Sequence, residues 1–177
     1  LCRDIAQKFN NDFKVNDFFK IPEPLIQKEF SRIMSLRDGL KKMSKSELSD
    51  LSRINLTDDK DLIINKIKKA KTDPLPIPMT IEELNKRPEA KNLIGIYSSL
   101  SKLNLEKIIN QFSGKNFSEF KENLSEVLVD KISPISYEIK KLLKEKSYLD
   151  DILLEGCKKA DNIASEKIKK IHEIVGF

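Results

Sequence analysis

Two lysines and two serines lie within the pentapeptide Lys42–Ser46, whose sequence is Lys-Met-Ser-Lys-Ser. A lysine ammonium is a mobile point charge with three hydrogen-bond donors, and a serine hydroxyl is a short donor. Groups of this kind suit phosphate oxygens, so the pentapeptide predicts a phosphate-binding loop. The alternative is a lysine-rich surface loop without a ligand, because runs of charge usually mark solvated faces.

A short strand is expected to position this loop. The stretch Arg32–Leu36 holds no turn residue and predicts a strand that runs directly into Lys42–Ser46. In an open α/β sheet, ligands bind outside the carboxyl ends of the strands. The nearby Gly39 would supply the backbone freedom for the loop to close over a ligand.

Helices are expected after the loop. Thr57 or Asp58 can cap a helix with Leu62, Ile63, Ile67 and Ala70 on one side and five lysines on the other, namely Lys60, Lys66, Lys68, Lys69 and Lys71. Three prolines in Thr72–Thr80 exclude regular helix there. Further helices are predicted from about Glu89 and over Leu105–Phe112, with Asn104 as the cap. Two long apolar stripes follow, over 117–143 and 149–175, and predict the core of a helical bundle.

Several stretches of the chain carry a family resemblance, namely Ser31–Ser46, Leu51–Asp59, Lys68–Pro74, Arg87–Leu93, Gly95–Tyr97, Glu155–Ala160 and Ile174–Phe177. In these residues the chain resembles bacterial tryptophanyl-tRNA synthetases, which are class I aminoacyl-tRNA synthetases. The resemblance is most specific between Arg32 and Asp73, and one departure is Glu47-Leu48, where the family usually has Asp-Pro.

The resemblance implies an ATP-dependent ligase that activates tryptophan and transfers it to its tRNA. Activation expels pyrophosphate, and negative charge grows on the phosphate oxygens as the bond breaks. Cationic donors placed there stabilise the transition state more than the ground state, and we assign this catalytic role to Lys42 and Lys45. The implied ATP-binding residues are Ile33, Lys42, Met43, Ser44, Lys45 and Ser46. ATP is expected with Mg²⁺, whose ligands are not identifiable in this chain.

The resemblance also implies the fold and the partners. The chain is expected to be mainly α-helical, with the end of a Rossmann-type catalytic domain over 1–57 and an α-helical anticodon-binding domain over 58–177. The family's N-terminal ATP-binding motif is not found, so we expect the C-terminal half of a synthetase, inactive in isolation. The expected partners are tRNA(Trp) and a second copy in a homodimer. The candidate tRNA contacts are Lys68, Lys69, Lys71, Arg87, Lys91 and Asn92.

Composition favours a cytoplasmic protein that binds a polyanion. The net charge is +5, and an excess of lysine attracts RNA, acidic proteins or membrane surfaces. No apolar run approaches the roughly 20 residues of a membrane span, and the start of the chain lacks the pattern of a signal peptide. Cys2, Cys157 and His172 do not have the spacing of metal ligands, so no metal site is predicted.

Two other functions compete with the leading one. A tyrosyl-tRNA synthetase would share the architecture, but its bacterial members usually carry Phe-Gly in the loop and an added C-terminal RNA-binding domain. Neither feature is found in these residues. The second alternative is a non-catalytic helical RNA-binding module, which would tolerate changes at Lys42 and Lys45.

Overall fold

The computed structural model describes residues 1–26 and 31–177. It divides into two compact units: the first contains Leu1–Ile26 and Glu145–Phe177, and the second contains 31–144. Seven α-helices and a two-stranded sheet occur in the described residues, which confirms that the chain is mainly α-helical. No helix among them is both long and apolar enough to cross a membrane.

The first unit contains helices α1 (Cys2–Asp12) and α7 (Lys146–Val175). The Asn10 side chain closes the segment after α1, because it accepts from the Phe19 N–H at 3.0 Å and donates to the Phe19 carbonyl at 2.8 Å. Helix α7 is fastened to this segment by Lys167. Its Nζ donates to the Phe18 carbonyl at 2.6 Å and lies 3.8 Å from the centre of the Phe18 ring.

The prediction that the apolar stripe of α7 is bundle core is wrong for this structure. No residue of α7 is buried, and Leu153 and Ile163 are 69% and 75% exposed. Helical spacing shows which residues share a face. It does not show that another element of the same chain covers that face.

Five helices and the sheet form the second unit. The helices are α2 (Lys60–Lys68), α3 (Ile81–Asn85), α4 (Pro88–Ser101), α5 (Leu105–Phe112) and α6 (Phe117–Leu142). Asn104 caps α5 as predicted, accepting from the Lys107 N–H at 3.0 Å. The cap of α2 is Asp59, rather than Thr57 or Asp58. Helix α3 was not predicted, although Thr80 and Glu83 have the spacing of a capping box and the Thr80 hydroxyl accepts from the Glu83 N–H.

The apolar core of this unit lies among these helices and the tip of the sheet. It is built largely from α2, α4, α5 and α6, with Leu36 contributed by the turn between the two strands. An aromatic group stands at its centre, in which Phe112 and Phe120 meet edge to face at 5.1 Å. Edge-to-face rings of this kind add to the stabilisation from burial alone.

The predicted strand is half of an antiparallel hairpin. Strand β1 (Met34–Ser35) pairs with β2 (Asp38–Lys42), with an irregular register between Met34 and Ser35. The prediction that this strand runs straight into the Lys42–Ser46 loop is therefore wrong. The chain turns at Leu36 and Arg37, where the Ser35 hydroxyl accepts from the Arg37 N–H, and β2 leads into the loop.

Candidate functional site

The Lys42–Ser46 loop begins at the last residue of β2. The Ser44 and Ser46 hydroxyls are 2.9 Å apart, and the Ser44 hydroxyl accepts from the Ser46 N–H at 3.3 Å. Both bonds fold the loop into a compact turn. Lys42 and Lys45 are exposed, and neither forms an ion pair within the described residues. The hairpin therefore presents two ammonium groups and two hydroxyls that an incoming anion can contact.

Ile33, before β1, and Met43, within the loop, lie next to each other. The Met43 N–H donates to the Ile33 carbonyl at 3.0 Å, which extends the hairpin by one backbone pair. Both side chains are half-buried and pack against the core of the second unit. The two residues that the family resemblance places at the adenosine are thus neighbours, next to the turn that holds the lysines.

Asn92 holds the hairpin to α4. Its Oδ1 accepts from the Met34 N–H at 2.9 Å, and its Nδ2 donates to the Met34 carbonyl at 2.8 Å. Asn92 is buried, at 7% exposure. Its amide is used within the protein, which gives this predicted tRNA contact a structural role.

The turn of the hairpin forms backbone hydrogen bonds with two further segments of the chain. The Leu36 N–H donates to the Ser52 carbonyl at 2.9 Å, and the Leu36 carbonyl accepts from the Lys71 N–H at 2.7 Å. Leu36 itself is buried at 2% exposure. Segments before and after α2 are thereby joined to the element that carries the loop.

Gly39 lies against the start of α4. A Cβ added there would be 2.6 Å from the Glu89 nitrogen and 2.6 Å from the Pro88 carbonyl carbon. Real Cβ atoms do not approach backbone so closely. Close packing against α4 therefore requires glycine at position 39, whereas the sequence suggested only that Gly39 supplies backbone freedom.

An ion network around the buried Lys66 includes Asp50 from the segment that follows the loop, and it corrects the placement of Lys66 on the side of α2 opposite its apolar residues. Lys66 is fully buried, and its Nζ is 2.7 Å from Asp58 Oδ2 and 2.6 Å from Asp50 Oδ2. The hydrogen bonds from Lys66 and Asn55 hold the pKa of Asp50 below its ordinary value, against the effect of desolvation. Lys66 follows Ile63 by three residues, so helical spacing already placed it on the core face.

The remaining candidate RNA contacts fall into two groups. Arg87 is held in the protein: it pairs with Asp73, donates to the Pro76 carbonyl at 2.7 Å, and its side chain is 15% exposed. Lys71 is exposed but forms an ion pair with Glu89 at 3.0 Å. Among these candidates, the exposed lysines that form no ion pair within the described residues are Lys68, Lys69 and Lys91.

The carboxyl end of α2, where Lys68 lies, is surrounded by further cations. Lys121 from α6 donates to the Ala70 carbonyl at 2.7 Å, and Arg37 from the hairpin donates to the Lys69 carbonyl. Burial, and then the nearby charge of Arg37, lower the pKa of Lys121. Cations at a helix carboxyl end are stabilised by the exposed carbonyls and the helix dipole.

Comparison with known proteins gives a consistent result. The model of the family described as "tRNA synthetases class I (W and Y)" matches residues 1–132. The chain is 50% identical over its whole length to a tryptophan–tRNA ligase of Rickettsia felis, of which it covers 53%. It is 48% identical, again over its whole length, to a tryptophan–tRNA ligase of Caulobacter vibrioides, of which it covers 52%.

Solved structures show the same likeness. The tryptophanyl-tRNA synthetase of Mycoplasma pneumoniae superposes with a TM-score of 0.79 at 27% identity, over 99% of this chain and 51% of that one. That of Campylobacter jejuni, solved in complex with ADP and tryptophan, gives 0.63 at 26% identity, over 99% and 52%. The chain thus spans about half the length of the curated relatives and structures it matches.

Proposed function

This chain belongs to the class I tRNA synthetases for tryptophan and tyrosine, and from that premise we propose that it is the part of a tryptophan–tRNA ligase that binds the ATP phosphates and the tRNA. The observation that carries the proposal is the Lys42–Ser46 loop. It presents two exposed ammonium groups beside two hydroxyls, on a hairpin that is fixed to α4. The names of the relatives favour tryptophan as the amino acid.

Lys42 and Lys45 would act on the triphosphate. In amino-acid activation the substrate carboxylate attacks the α-phosphorus, the bond to the bridging oxygen breaks, and pyrophosphate leaves. Ammonium groups placed at the leaving oxygens stabilise the growing charge. The attacking carboxylate is already ionised, so the step needs no general base. Ser44 and Ser46 would orient the phosphates, and Ile33 and Met43 would contact the adenosine end.

Mg²⁺ is expected to accompany ATP on its phosphates, where the ion neutralises part of the charge. No group of three His, Cys, Asp or Glu side chains that could hold a metal occurs in the described part of the chain. We therefore assign no Mg²⁺ ligand to these residues.

The helical part would bind tRNA(Trp), in a cytoplasmic homodimer. The exposed lysines Lys68, Lys69 and Lys91 are the proposed phosphate contacts, with Lys71 beside them. Arg87 and Asn92 are left out, since their polar groups bond within the protein. We retain the functional division into a catalytic part over 1–57 and an anticodon-binding part over 58–177.

Amino-acid-dependent ATP–pyrophosphate exchange by the full-length protein tests the proposal. Lys42→Ala and Lys45→Ala should each lower tryptophan-dependent exchange by a factor on the order of 10². The matched control is Lys41→Ala, which removes an exposed lysine of the same hairpin. The Lys41 Nζ lies 3.7 Å from Asp38 Oδ2. Its exchange rate should be unchanged.

The other outcomes separate the alternatives. Exchange with tyrosine alone would keep the reaction and change the amino acid. Absence of exchange with either amino acid, in a protein that still binds tRNA, would favour a helical RNA-binding module. Equal losses in all three lysine variants would show a general effect of charge rather than a role for two particular lysines.

A further inference from the structure

We propose that Arg53 is a positioning residue for the Lys42–Ser46 loop, fixing the point at which the chain leaves the loop. The inference rests on the function proposed above, since it assigns a residue to the same site. Arg53 lies seven residues beyond Ser46 and would touch neither ATP nor tryptophan. It would act through the backbone of Glu47, the residue that follows the loop directly.

The guanidinium of Arg53 makes three separate contacts. Its Nη1 donates to the Glu47 carbonyl at 2.8 Å, its Nη2 is 3.0 Å from Asp50 Oδ1, and its Nε donates to Asn55 Oδ1 at 3.3 Å. The side chain is 18% exposed. A planar fork with fixed donor directions transmits orientation from one partner to another, which a lysine ammonium cannot do equally well.

The second contact connects Arg53 to the buried core. Asp50 Oδ2 accepts from Lys66 at 2.6 Å, and Lys66 is held in turn by Asp58, which is 4% exposed. Lys66 projects from α2 between the buried residues Ile63 and Ile67. Polar contacts therefore run from the end of the loop, through Arg53 and Asp50, to a lysine that packing immobilises.

Such support matters because the loop itself is exposed. Donors that stabilise a transition state must already be in place when charge develops, and they are held there by the residues behind them. On its entry side the loop is held by β2 and by the Met43–Ile33 backbone bond. On its exit side, the Arg53 bond to Glu47 is the corresponding contact. Removing it should leave the loop folded but less restricted.

The test compares Arg53→Ala with Asp59→Ala in the full-length protein. Asp59 caps α2 by accepting from the Leu62 N–H at 2.9 Å, so its loss weakens the same helix without touching Arg53 or the loop. The first measurement needs no substrate: the initial rate at which a lysine-specific protease cleaves after Lys42 and Lys45. We expect the cleavage rate of Arg53→Ala to be at least fivefold higher than that of Asp59→Ala. Each variant is assayed at the same interval below its own thermal midpoint.

The second measurement is tryptophan-dependent pyrophosphate exchange. Arg53→Ala should lower kcat at least tenfold while the KM for tryptophan stays unchanged, and Asp59→Ala should retain the wild-type kcat. The kcat of Arg53→Lys, which keeps the charge but not the fork, should fall between the values of Arg53→Ala and Asp59→Ala. This variant also serves as the test if Arg53→Ala does not fold.

Equal cleavage rates in the Arg53 and Asp59 variants would overturn the proposal, as would faster cleavage with unchanged kcat. Absence of exchange in the wild-type protein would instead overturn the proposed function, while the cleavage rates would still report whether Arg53 restrains the loop.

Discussion

The side-chain amide of Asn92 pairs with the backbone of Met34 as a neighbouring strand would, accepting from its N–H at 2.9 Å and donating to its carbonyl at 2.8 Å. The two residues are 58 positions apart in the chain. Strand β1 therefore has β2 on one side and a helix side chain on the other. The position of the lysines in the loop depends on α4 through this contact.

Asn92→Ala should destabilise the second unit by about 1–3 kcal/mol, because it removes both bonds and leaves backbone groups of Met34 without a partner. Urea unfolding measures the change. The adjacent Lys91→Ala is the control: Lys91 is exposed, and its replacement should shift stability by no more than about 0.5 kcal/mol. A loss for Asn92→Ala no larger than that of the control would contradict this structural role.

Local patterns predicted much of this structure correctly. The Asn104 cap of α5, the long helix α6 over the first apolar stripe, and the proline connector before α3 all follow from short-range rules of spacing and capping. The loop was identified from the residue types it contains. These features depend on neighbours within a few residues.

The errors concern partners that are distant in the chain. Asn92 is a candidate tRNA contact in the sequence analysis, and only the fold brings Met34 to it. The sequence-based prediction places Lys66 on the side of α2 opposite its apolar residues, although its spacing from Ile63 puts it on the core side, where Asp58 compensates its charge. The apolar stripe of α7 was recognised from its spacing, but the spacing does not indicate which residues cover that face.

Gly39→Ala should be strongly destabilising, because the added methyl group would overlap the Pro88–Glu89 backbone, which cannot move like a flexible side chain. Overpacking of this kind typically costs about 1–3 kcal/mol. The matched control is Gly156→Ala in α7, where nothing lies within 4 Å of the new atom. That change should stabilise by about 0.5–1 kcal/mol, because alanine favours the helix over glycine. Changes of the same sign at both positions would contradict the close approach at Gly39.

Lys66→Met should lower the free energy of unfolding more than the substitution of any exposed lysine. The change keeps the aliphatic volume but leaves the buried Asp58 carboxylate without its cation, and removing one partner of a buried pair costs about 3–5 kcal/mol. Asp58 keeps two hydrogen bonds from Asn55, so we expect the lower end of this range. Adding Asp58→Asn to Lys66→Met should recover part of the loss in a double-mutant cycle. Lys60→Met, at an exposed position of the same helix, should change stability little, and an equal loss there would refute the buried pair.

Replacing both Lys68 and Lys69 by alanine should weaken tRNA binding and lower its dependence on salt. Each lysine that contacts a phosphate releases a counterion on binding, so the slope of log K against log salt should fall by about 1 per contact. The control is the double variant Lys140→Ala and Lys141→Ala, which removes the same charge from adjacent lysines in the last turn of α6.

If both double variants lose the same affinity and slope, net charge alone attracts the RNA. If only the Lys68 and Lys69 variant changes, the carboxyl end of α2 is part of the binding surface. Pyrophosphate exchange, which needs no tRNA, should be unchanged in both, so a loss there would indicate damage to the fold rather than to RNA binding.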